Sequence, residues 1–187
     1  MPRSFGKRFE QILGELQAVL SQIDDKAIDK LTRALMKADN VFIYGQGRTG
    51  QISRTFAVRL MHLGIAAHFV GETTTPPITK RDLCLVNSGT GKTRFVYHVA
   101  AEAKSAGAKL ATITAHPEAR IAKMADIVVT VPAPTKGEFR GKEKSVQPPG
   151  SLFEQAALMV MEAVVMALMS HMRITARILA KRHANIE

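Results

Sequence analysis

One cysteine, no tryptophan and two tyrosines are spread over 187 residues. A single thiol, Cys84, excludes an internal disulfide framework and a cysteine-cluster metal site, and it fits a reducing, cytoplasmic setting. The shortage of aromatics argues against nucleic acid as a partner, because no basic run is interleaved with rings on which bases would stack. Long apolar runs are missing as well. The N-terminus, MPRSFGKRFEQILGELQ, lacks the apolar core of a signal peptide. The stretch 152–172 is interrupted by Glu154 and Glu162, and its longest unbroken piece, 163–169, falls short of the roughly 18 residues of a spanning helix. It is expected to be a core or interface helix, with no membrane role.

What is present is a basic but well-patterned chain. Lys and Arg number 26 against 16 Asp and Glu, a formal net charge of +10, while 46% of residues are apolar. That apolar fraction excludes a disordered segment, and the length suits one domain burying roughly 70% of its unfolded surface. By segment the excess is +1 over residues 1–40, +5 over 41–100, +3 over 101–150 and +1 over 151–187. Half of it therefore falls in the segment that also holds both glycine-rich turns. Small anions held at helix starts account for that better than nucleic acid does.

Phe5, Phe9, Ile12, Leu16, Val19 and Ile23 recur at helical spacing, and Ile28, Leu31 and Leu35 follow Asp24 and Asp25 in the same way. A helical hairpin is expected over 1–40. Strands are expected at 41–44, 67–70, 83–87, 109–114 and 127–131, with helices after the first, third and fourth, the signature of a parallel sheet covered on both faces. The sheet core thus spans 41–131. Residues 132–150, rich in Pro, Gly and charge, read as a long mobile loop, and 151–187 as a final helix with a tail. The pattern S-x-x-E at Ser151 and Glu154 predicts a capping box at that helix start.

The first glycine loop, GQGRTG at 45–50, matches the dinucleotide pattern G-x-G-x-x-G, with Glu72 after the next strand where a ribose-binding acid would stand. It is either a tight turn whose glycines permit close packing, or an anion site formed by Arg48, Thr49 and exposed N–H groups. The second, SGTGKT at 88–93, ends like a Walker loop but has Val86 where that motif requires glycine. It offers Ser88, Gly89, Thr90, Gly91 and Thr93 at a strand end, a cradle for one phosphate. Two such loops at the carboxyl edge of one sheet suit a sugar phosphate better than a dinucleotide.

The ordered set YGQGRTG, AVRLMHLG, VGETTTPP, NSGTGKT, VQPPGSLFEQ and RHANIE, covering nearly the whole chain, resembles the 6-phospho-3-hexuloisomerases of the sugar isomerase (SIS) superfamily. The resemblance implies a single SIS domain over 1–187, an α/β three-layer sandwich with a five-stranded parallel sheet flanked by helices, assembled as a homotetramer. It implies interconversion of D-arabino-hex-3-ulose 6-phosphate and D-fructose 6-phosphate in the ribulose monophosphate route of formaldehyde fixation, with 3-hexulose-6-phosphate synthase as functional partner. No metal or organic cofactor is implied.

The carbonyl moves from C3 to C2 through an enediolate, so a base must take a proton from one carbon and return it to the next. The resemblance makes Glu154 that base, in competition with the capping box. It makes His62 and His183 further catalytic candidates, the first otherwise a polar helix end and the second a frayed terminus or a flap over a neighbour's site. Substrate contacts fall on Arg48, Thr49, Ser88, Gly89, Thr90, Gly91, Lys92 and Thr93. Lys92 is a departure, since the family usually reads SGSGET. Two alternatives remain open: another SIS isomerase, such as one for arabinose 5-phosphate, or a non-catalytic sugar-phosphate sensor. The first usually has extra C-terminal domains and the second a DNA-binding segment, and neither is evident.

Overall fold

A computed structural model describes residues 4–136 and 145–186. Five parallel strands form one sheet in the order β2-β1-β3-β4-β5, comprising β1 (Val41–Gly45), β2 (Ala67–Phe69), β3 (Leu83–Asn87), β4 (Lys109–Thr114) and β5 (Ile127–Thr130). Register runs Val41 to Leu83 to Lys109, with Ala111 opposite Ile127. Strand side chains alternate between two cores. Leu83 and Leu85 join Val41, Ile43, Ile113 and Val129 on one face, while Cys84 and Val86 join Leu110 on the other.

The first face is covered by α2 (Asp25–Lys37), α3 (Arg48–Leu63) and α6 (Ser151–Met172), and the second by α4 (Arg94–Ser105) and the short α5 (Arg120–Met124). Three layers result, as the α/β reading expects. The apolar length of α6 would suffice to cross a membrane, but its Leu152, Phe153, Val160, Val164 and Leu168 are buried in the core. α1 (Phe5–Leu20) and α2 both pack against α6. Asp24 caps α2, its carboxylate accepting from the Lys26 N–H at 2.9 Å.

The expected loop 132–150 falls partly outside the described residues. Its described end is tied down, for Glu15 of α1 accepts from the Val146 N–H at 2.7 Å, Ser145 Oγ at 2.7 Å and Gln147 Nε2 at 2.9 Å. Burial acts to raise the Glu15 carboxyl, and these three donors outweigh it and hold the group below its ordinary range. The entry to α6 is thereby fixed to α1.

At the opposite edge, buried Asp82 ties β3 to the start of β1. It accepts from Asn40 N and Nδ2 at 3.0 and 2.9 Å, and from Thr79 N and Oγ1 at 2.7 and 2.8 Å. Burial acts to raise its carboxyl, and the Asn40 and Thr79 bonds bring it below the ordinary value. Asp82→Ala is expected to lower the unfolding free energy by about 2–4 kcal/mol, since four donors lose one acceptor. A carboxyl depressed in the fold stabilises above its unfolded value and stops doing so as pH falls through the folded one, so urea midpoints of wild type and variant should converge below about pH 4. Equal midpoints at neutral pH would refute this role.

Candidate active site

Because the strands are parallel, α3, α4 and α6 all begin at the carboxyl edge of the sheet, and their positive N-terminal ends face one small pocket. The pocket has a volume of about 90 Å³ and is lined by Gln46, Thr49, Ser88, Gly89, Thr90, Thr93, Thr135, Lys136, Gly150, Phe153 and Glu154.

The first glycine loop allows close packing at the edge of the pocket. A Cβ on Gly50 would lie 2.6 Å from the Gly45 carbonyl oxygen, so the strand end and helix start meet only without side chains. That contact brings Thr49 to the pocket, where its hydroxyl donates to the Gln46 carbonyl at 2.7 Å, and starts α3 at Arg48. Glu72, the ribose-acid candidate, is engaged elsewhere, accepting from Arg54 Nη1 at 2.6 Å. The dinucleotide pattern therefore lacks its acid.

The second loop is anchored to β4. Ser88 N–H donates to Ile113 O, and Ala115 N–H donates to Gly89 O, each at 3.0 Å. The backbone N–H groups of Gly89, Thr90 and Thr93 have no acceptor among the described residues. Those amides, with the Ser88, Thr90 and Thr93 hydroxyls, form a donor-rich cradle at a helix start. Gly91 and Lys92 do not line it. Gly91 is buried against Ala119, and exposed Lys92 lends its charge to Glu118, whose carboxyl its own N–H and His116 hold below the ordinary range. The unusual lysine thus sits beside the cradle rather than in it.

Glu154 occupies the first turn of α6 with its side chain only 6% exposed, and it accepts from Arg48 Nε at 2.5 Å. The predicted capping box is not formed. Gly150, at φ 78°, is the N-cap, Ser151 is already helical, and no side chain caps the helix. The Glu154 carboxylate is turned to Arg48 across the pocket through one oxygen. Its second oxygen lies toward Gly150 and the Lys136 stem.

His62 and His183 are brought together, but not to this pocket. Their rings stack with centroids 4.0 Å apart, and Arg182 Nη1 donates to the His62 carbonyl at 3.1 Å. His62 lies at the far end of α3, roughly 20 Å along the helix from Arg48 at about 1.5 Å per residue. The remaining histidines are dispersed, and no group of three His, Cys, Asp or Glu side chains is placed to hold a metal among the described residues. Burial pushes the Cys84 thiol up to about 12, which makes it an inert core residue.

Gln46, Thr135, Lys136, Gly150 and Phe153 were not among the expected site residues. Thr135 and Lys136 follow β5, so the rule that ligands gather at strand carboxyl ends could have found them. Their proline-rich context instead suggested loop.

A donor-rich loop and a buried carboxylate thus meet at the carboxyl edge of an all-parallel five-stranded sheet. A profile of the SIS domain matches residues 34–159. The chain is 38% identical over 177 residues to the 3-hexulose-6-phosphate isomerase of Bacillus subtilis (strain 168), covering 95% of this chain and 96% of that one. It is 42% identical over 173 residues to the enzyme of that name from Mycobacterium gastri, covering 92% and 86%. A crystal structure from Methanococcus jannaschii, for which a 3-hexulose-6-phosphate isomerase function was inferred, superposes with a TM-score of 0.83 at 31% identity, covering 97% and 99%. The chain belongs to the 3-hexulose-6-phosphate isomerase family of SIS domain proteins, and it is an isomerase.

Proposed function

We propose that the chain works as a single SIS unit that interconverts D-arabino-hex-3-ulose 6-phosphate and D-fructose 6-phosphate, with Glu154 as the base. The observation that carries this reading is the buried carboxylate, held by Arg48 beside the 88–93 cradle. The cradle amides and hydroxyls take the phosphate, and the sugar carbons run out over Glu154. From the 3-ketose, the free carboxylate oxygen removes the C2 proton, the C2=C3 double bond forms, and charge moves onto the C3 oxygen. The hydroxyl proton then passes from O2 to O3, and Glu154 returns its proton to C3 as the C2 carbonyl forms. Atoms and electrons balance without a redox partner. Lys136, on the pocket wall, is the cation available to the developing oxyanion or the phosphate.

The substrate arises from a synthase that joins formaldehyde to a pentulose phosphate, and the setting is cytoplasmic. The chain assembles as a tetramer in this reading, and exposed apolar residues on three helices support self-association. Phe5, Phe9 and Leu13 of α1 are 73, 61 and 63% exposed, and Met166 of α6 is 69% exposed. Val58 and Met61 of α3, both just before His62 in sequence, are also exposed. In that assembly the His62–His183 pair serves the pocket of a neighbouring copy, assisting ring opening and proton movement on the sugar oxygens.

Chelator-treated protein assayed on a panel of sugar phosphates tests the reading. Fructose 6-phosphate and the 3-ketose are expected to interconvert, with arabinose 5-phosphate turned over far more slowly. Activity confined to the pentose phosphate would overturn the substrate and leave the family standing.

A further inference from the structure

The second basic feature of the molecule lies at the edge of the sheet opposite the active site. There a cleft of about 410 Å³ is lined by Lys30, Arg33 and Lys37 of α2, by Lys80 and Arg81 before β3, and by Lys109 at the start of β4. The first three follow i, i+3, i+7 spacing and so share one helix face. Asp82 and Asp126 also line the cleft, but both are committed: Asp82 to Asn40 and Thr79, and Asp126 to Lys104 and the Leu110 N–H. Arg33 meets Asp29 at 4.0 Å, and Arg81 meets Asp39 at 2.9 Å. Lys30, Lys37 and Lys80 have no ion-pair partner among the described residues, while Lys109 lies close enough to Asp126 for its charge to act on that carboxylate.

We propose that this cleft is a second ligand site, distinct from the active site, for a small molecule carrying at least two phosphate groups. Four ammonium groups, three of them without an ion-pair partner among the described residues, converge from three separate parts of the chain on one concavity. The volume falls in the range of small-molecule sites, roughly 300–1,000 Å³. Lysines on flexible stems act as adjustable point charges, suited to a run of phosphates rather than to one planar, bidentate acceptor. The carboxyl end of α2 points its negative dipole toward this edge, so binding rests on the side chains and is screened by salt. A monophosphate meets too few of these cations to compete with the donor-rich cradle at the other edge. The substrate pocket and the cleft therefore select different anions.

The probe is inorganic tripolyphosphate, followed by calorimetry on the full-length protein in the presence and absence of saturating fructose 6-phosphate. Saturable binding at one site per chain is expected, weakened by salt and unaffected by fructose 6-phosphate. The double variant Lys80→Ala, Lys109→Ala should lose roughly tenfold or more in affinity while its turnover without tripolyphosphate and its melting temperature stay at wild-type values. Arg48→Met should bind the probe as wild type does. A nucleoside triphosphate binding as tightly as tripolyphosphate would assign recognition to the phosphates, and tighter binding would add a base contact; both support the site. No saturable binding, unchanged affinity in the double variant, or displacement by fructose 6-phosphate would overturn it. If an acidic protein binds this face while tripolyphosphate does not, the proposal of a small-molecule site also fails.

Discussion

Replacing Glu154 with glutamine is expected to lower kcat by roughly a hundredfold to ten-thousandfold while KM changes little, the range associated with loss of one general base. Glutamine keeps the length of the side chain, and its carbonyl oxygen still accepts from Arg48 Nε. What it loses is a site basic enough to take a carbon-bound proton. The same variant incubated with fructose 6-phosphate in deuterated water should incorporate almost no deuterium at C3, because that exchange needs proton removal but no net conversion. A wild-type exchange rate would remove Glu154 from the mechanism even if turnover had fallen. Retained binding of fructose 6-phosphate shows that the 88–93 cradle is intact.

Arg48→Met is expected to be the next most damaging change, lowering kcat by about a hundredfold, as a misplacement of order 1 Å does to a catalytic group. Arg48 is 68% exposed and Glu154 is 6% exposed, so the arginine contributes less to the core than to aiming the carboxylate. Arg48→Lys should recover only part of the rate, since lysine restores charge without the planar N–H geometry. A purely electrostatic role predicts full recovery. If Arg48 instead holds substrate as a simple anion clamp, KM will rise and kcat will stay near wild type, which would refute the aiming role.

Much of the fold was legible because it rests on local rules. Alternating apolar strands and amphipathic helices placed all five strands within a residue or two, and Asp24 announced the start of α2. The place of the 88–93 loop between a strand and a helix was legible too, since glycines and hydroxyls break the apolar pattern there. The capping box was the instructive miss. S-x-x-E at a helix start carries the same letters whether the glutamate turns back to its own backbone or crosses to Arg48, and the difference is made by α3 packing beside α6. The charge count shows the same limit. The +5 of residues 41–100 combined Arg48, at the substrate edge, with Lys80 and Arg81, which face the other end of the sheet.

The sequence alone determined the layer architecture and the family, because periodicity and contiguous motifs are written in neighbouring residues. The tertiary structure decided which charges meet. It joined Arg48 to Glu154, moved Lys92 to the rim, added Lys136 to the pocket, and carried the His62–His183 stack to the far end of α3. The physical reason is that electrostatic and acid–base chemistry depend on distances of a few ångströms between residues far apart in the chain. Parallel strands joined by returning helices or loops send alternate segments of the sequence to opposite edges of the sheet, so residues close in sequence can end up on opposite sides of the molecule.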